Sequence, residues 1–73
     1  MRIHFASLDD VREFVGLATL QPYAVQVRDA ERTVNAKSFM EMFTLDFSTP
    51  LSVTVSGEDN EAHFVNAAKK FIV

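Results

Sequence analysis

Two hydrophobic periodicities alternate along this chain, and their order does most to restrict what it can fold into. In LSVTVS, residues 51–56, Leu51, Val53 and Val55 fall on one side and Ser52, Thr54 and Ser56 on the other. That period of two is the mark of a strand with one buried and one solvated face. RIHFA repeats it with Ile3 and Phe5, YAVQV with Tyr23, Val25 and Val27, and TVNA supplies a short return strand. Between these runs the spacing lengthens to that of a helix. Leu8, Val11, Phe14, Val15 and Ala18 share one face of the first helix, and Phe64, Val65, Ala68, Phe71 and Ile72 one stripe of the last. The predicted order is therefore β-α-β-β-α-β-α. Strands that bury one face and helices that bury one stripe can satisfy each other in two layers. The expected class is α+β, an open-faced sandwich with its helices on one side of the sheet.

Local chemistry marks where these elements end. Ser7 can cap the first helix, and Asp9 and Asp10 sit in its first turn, where the helix dipole favours negative charge. Gln21-Pro22 closes that helix, because the residue before proline resists helical angles. RDAER is a polar turn joining the second and third strands. KSFMEMFTLDF reads as a helix, in which Ser38 and Glu41 match the S-x-x-E capping box. Thr49-Pro50 and GEDN punctuate the remainder.

Seventy-three residues suffice for one domain, 1–73, without repeat or linker. With no cysteine the core must be apolar, and a hydrophobic content of 48% with seven Phe permits it. The missing cysteines also fit a reducing cytoplasm. No run approaches the roughly 18 apolar residues of a membrane helix, and MRIHFASLDD lacks a signal peptide's apolar segment, so the chain is expected to be mature as it stands. The net charge is −3 and the seven Lys and Arg are scattered. Neither nucleic acid nor an anionic membrane is expected as a partner.

Motifs that carry chemistry are scarce. There is no glycine-rich phosphate loop and no nucleophile–base spacing. His4 on a polar strand face and His63 off the last helix's stripe read as solvated side chains. Asp9 and Asp10, adjacent on a helix, point about 100° apart and do not make an acid/base pair. Glu58, Asp59 and Glu61 lack calcium-loop spacing. No metal or cofactor is expected. What stands out is Phe39, Met40, Met42 and Phe43, four large apolar side chains within five positions. Met40/Phe43 and Phe39/Met42 are each three apart and so occupy neighbouring faces. Either the helix sits in a groove that buries both faces, or one of them is kept for a partner.

The run TVNAKSFMEMFTLDF followed by LSVTVSGEDNEA resembles HPr, the histidine-containing phosphocarrier family of the bacterial sugar phosphotransferase system. The similarity is strongest in the second half, while the first half agrees in element order back to Ser7. The resemblance implies an antiparallel four-stranded sheet in order 1-4-2-3 with three helices on one face. It also implies a missing reaction. The family carries phosphate on a histidine in a Gly-x-His-x-Arg-Pro motif. Here the histidine position is Ser7, the arginine position Asp9 and the proline position Asp10. Two like charges 4 Å apart near a protein surface repel by roughly 4 kcal/mol, so a transferable phosphohistidine at this corner is not expected.

The family's second site is matched. A serine in a Lys-Ser motif, phosphorylated in many relatives by an ATP-dependent HPr kinase, falls on Ser38, and the apolar docking residues after it fall on Phe39, Met40 and Phe43. By the same resemblance Met42 and Leu45 face the core. Glu41 departs from the family pattern and would repel a phosphate on Ser38. The implied protein is a non-catalytic, cytoplasmic regulatory module, like the catabolite-repression HPr-like proteins, with HPr kinase or a LacI-type transcriptional regulator as partner rather than enzyme I. The alternative is a phosphoryl carrier working through an unaligned group such as His4 or His63.

Overall fold

A computed structural model describes all residues from 1 to 73. The chain runs β1 (Arg2–Ile3), α1 (Leu8–Thr19), β2 (Val25–Arg28), β3 (Thr33–Asn35), α2 (Phe39–Met42), β4 (Leu51–Val55) and α3 (Glu58–Ala67), with a final 3-10 turn at Lys69–Phe71. The strands form one antiparallel sheet in the order β1-β4-β2-β3. The architecture is the expected α+β sandwich, with the expected sheet order and three helices.

Register explains the two faces. Val27 pairs with Val53 and with Val34, and Ile3 with Leu51, so four strands aim their apolar residues the same way. Arg2, Gln26, Arg28, Thr33, Asn35 and Thr54 point to the open face and are exposed. Seventeen buried residues form one cluster between the sheet and the helices, and none of them is polar or charged. Its centre is aromatic. Phe14 is fully buried and meets Phe5, Phe64 and Phe71 edge to face at centroid distances of 5.3, 5.7 and 5.7 Å. That geometry aligns ring edges with neighbouring π faces.

Several elements and side chains depart from expectation. β1 keeps two residues instead of the whole RIHFA run, because His4 donates its N–H to Phe71 O at 2.9 Å and the C-terminal segment takes over beside the strand. The second helix, expected over KSFMEMFTLDF, is a single turn, Phe39–Met42. Leu8 was expected on the core face of α1 but is exposed, since as the first helical residue it lies beyond the packed layer. Tyr23, Val65 and Ile72, expected inward, are only half-buried.

Candidate functional site: the α1–α2 surface

The start of α1 is capped as expected. Ser7 Oγ accepts from Asp10 N–H at 3.3 Å, and Asp10 Oδ2 accepts from Ala6 N–H at 2.9 Å. These bonds satisfy two donors near the helix start, and the second uses a carboxylate. At the position where the HPr resemblance would put a phosphohistidine there is thus an exposed serine engaged as a cap, with Asp9 exposed beside it and Asp10 half-buried. The single salt bridge of the molecule, Lys70 Nζ to Glu13 Oε2 at 2.6 Å, lies elsewhere. That contact with Glu13 raises the Lys70 pKa above its ordinary value.

Ser38 is the N-cap of α2, its Oγ accepting from Glu41 N–H at 3.3 Å. The capping box is altered. Glu41 Oε1 accepts from Asn35 N–H at 3.1 Å, while Ser38 N–H donates to Asn35 O at 3.1 Å. Glu41 therefore ties the end of β3 to the helix, its carboxylate on Asn35 and its N–H on the half-buried Ser38. Lys37 donates its ammonium to Gln21 O at 2.8 Å, which fixes this corner against the end of α1.

After Ser38 the apolar side chains divide. Met42 is fully buried and Leu45 nearly so. Phe39 and Phe43 are 42% and 48% exposed, and Met40 is 85% exposed. The division does not follow the pairs three residues apart, since Phe39 parts from Met42 and stacks instead on Phe43, four residues on. Their centroids are 6.1 Å apart and the rings 20° from parallel. An exposed stacked pair beside an exposed methionine is a surface that water does not favour and that an adaptable partner can cover.

Two features of this surface were not legible as a site. Arg12 of α1 forms a concavity of about 360 Å³ with Phe39 and Phe43. One turn earlier, Leu8, Val11, Phe5 and Phe47 line another of about 250 Å³. Leu8 and Arg12 share an α1 face by their i, i+4 spacing, and Phe47 follows Phe43 by four, but only the fold shows that the two series meet.

The histidines lie apart from all of this. His4 is exposed near the sheet edge. His63 on α3 is exposed but partnered, with Tyr23 Oη 2.8 Å from its Nδ1. Desolvation raises the Tyr23 pKa above its ordinary value. On the far side, Asp29 Oδ1 accepts from Glu31 and Arg32 N–H, both at 2.8 Å, and its Oδ2 accepts from Asp46 N–H at 3.0 Å. Those bonds hold the Asp29 carboxyl below its ordinary pKa. They pin the β2–β3 turn to the segment after α2. No helix is long and apolar enough to cross a membrane.

Fold and surface together define a class: a small open-faced α+β sandwich whose short second helix presents an apolar patch beside α1. Comparison with protein-family models, curated proteins and solved structures finds no significant match.

Proposed function

We propose that this protein is a non-catalytic docking module of the HPr kind, acting in the cytoplasm through the surface formed by Phe39, Met40 and Phe43. The observation that carries the reading is the division within one helical turn. Met42 anchors the segment while its neighbours stay in solvent. Burying them against a partner would recover about 25 cal/mol for each Å² of apolar surface removed from water. Beside that patch the corner that would hold a phosphohistidine carries Ser7, Asp9 and Asp10, a set with neither an imidazole nor a cation to steady a phosphoryl group.

Ser38 is the regulatory position in this reading. A phosphate there adds about −1.5 to −2 charges at the edge of the docking patch. The start of α2 favours that charge, and Glu41 opposes it. The partners by resemblance are an HPr kinase and a LacI-type regulator of carbon catabolite control. Titration of fluorescently labelled protein with each of these tests the docking role. Met40→Ala with Phe43→Ala weakens binding at least about tenfold if the patch is the contact, as truncation of central apolar anchors does elsewhere. Unchanged affinity in that double variant would remove the patch from the interface.

A further inference from the structure

The seven Lys and Arg are scattered in sequence, but the sheet register gathers two of them. Arg2 stands opposite Ser52, Ser52 opposite Arg28, and Arg28 opposite Thr33, so the four make one row across the strands. Thr54, Gln26 and Asn35 make a second row beside it. All seven lie on the open face, and all but the half-buried Ser52 are exposed. Adjacent strands are about 4.8 Å apart, which sets Arg2 and Arg28 about 10 Å apart across Ser52. Charge is divided between the layers. The chain carries ten Asp and Glu, yet none of them lies on a strand. Asp29, next to Arg28, is held in its own turn and to Asp46 by three backbone N–H donors. Glu41, near the end of β3, is held on Asn35 N–H. The single salt bridge joins Lys70 to Glu13, so neither guanidinium of the row has an acidic partner. The concavities of the molecule are lined by other residues. In a chain of net charge −3, the open face is thus flat, cationic and free of large apolar side chains.

We infer that this face binds an acidic segment of a partner protein, with carboxylates set against Arg2 and Arg28. The hydroxyls and amides of Ser52, Thr54, Gln26 and Asn35 serve the polar groups between them. The inference is independent of the apolar patch on α2, which belongs to the other layer. Charge complementarity carries it. A guanidinium is a planar fork that fits a carboxylate bidentately, and here two such forks face no competing acid. A small anion would find no enclosure on a flat face. A single-stranded nucleic acid would find no aromatic ring on which to stack its bases, and a membrane no apolar side chain to bury. An extended chain with acids at alternate positions puts all of them on one side, which suits a flat row of cations.

Two synthetic peptides, one alternating Glu and Ser and the other Lys and Ser, test this by titration into ¹⁵N-labelled protein at low salt. The Glu peptide is expected to shift the amides of Arg2, Gln26, Arg28, Ser52 and Thr54, and the Lys peptide to leave them in place. Arg2→Gln with Arg28→Gln, its fold checked by its amide spectrum, is expected to weaken binding of the Glu peptide about tenfold. Raising the salt to about 0.3 M removes most of that binding, because exposed charges are then screened within a few Å. No binding, shifts on helix residues alone, an equal response to both peptides, or unchanged affinity in the double variant would overturn the inference. Tighter binding of an oligothymidylate or of phosphatidylserine vesicles at the same strands would also overturn it, since the partner would then not be an acidic protein. Self-association that the double variant abolishes would overturn it too, by making the partner a second copy of this chain.

Discussion

Met40 and Met42 stand two residues apart in the same helical turn, and the structure assigns them opposite roles. Met42 is fully buried in the core cluster, whereas Met40 is 85% exposed. Truncating a buried methionine to alanine removes its transfer free energy and leaves a cavity, together about 2–5 kcal/mol. A domain of 73 residues has a total stability of roughly 4–11 kcal/mol, at about 0.05–0.15 kcal/mol per residue. Met42→Ala therefore consumes a large share of it. Met40→Ala removes side-chain atoms that are already in water and stays within about 0.5 kcal/mol of the parent. For a domain this small each kcal/mol moves Tm by about 4–8 °C. The two variants should thus differ in Tm by about 10 °C or more. Urea titration and thermal melts followed by circular dichroism provide the comparison. Equal destabilisation by both substitutions, or a larger loss for Met40→Ala, would refute the division of α2 into a buried and a presented face.

Three other outcomes follow from local geometry. Gly57 has φ +85°, and a Cβ there would lie 2.8 Å from Asn60 Nδ2, so Gly57→Ala destabilises the turn into α3 by about 1–3 kcal/mol, read from a urea midpoint. Ser38→Ala removes the cap of α2 and costs about 0.5–2 kcal/mol in the same assay, with the amide of Glu41 losing protection from exchange. The folded-state pKa of Asp29 is depressed by its three backbone donors, so its contribution is present above the unfolded value of about 3.9 and is lost as pH falls through the lower folded value. Stability measured from pH 6 to 2 should fall along that limb, and Asp29→Asn should flatten it.

Much of the fold was legible because its elements obey one rule each. The alternation of β4 placed Leu51 and Val53 inward, and the stripe of α1 from Val11 to Ala18 met the core as spaced. The misjudged limits arise from contacts distant in sequence. α2 stops after one turn although Leu45 and Phe47 prolong its apolar pattern. Thr44 Oγ1 closes the helix on Glu41 O at 2.6 Å, and Asp46 N–H is drawn to Asp29, 17 residues earlier. β1 is shortened by the bond from His4 to Phe71 at the other end of the chain. Neither partner can be inferred from a local window. The candidate site divides in the same way. Phe39, Met40 and Phe43 could be singled out because four large apolar residues crowd one short segment; periodicity left open which of them faces water, whereas the HPr resemblance put Met42 and Leu45 in the core, where they lie. Arg12 carried no signal of its own, and becomes notable only once α1 and α2 lie side by side.

In the proposed reading the protein docks through α2 and does not transfer phosphate through a histidine. Intact-mass spectrometry tests it most directly, after separate exposure of the protein to enzyme I with phosphoenolpyruvate and to HPr kinase with ATP. The account predicts no mass gain in the first reaction and a single phosphate in the second, abolished by Ser38→Ala. An acid-labile phosphate on His4 or His63 in the first reaction, or no gain with active kinase in the second, would contradict it.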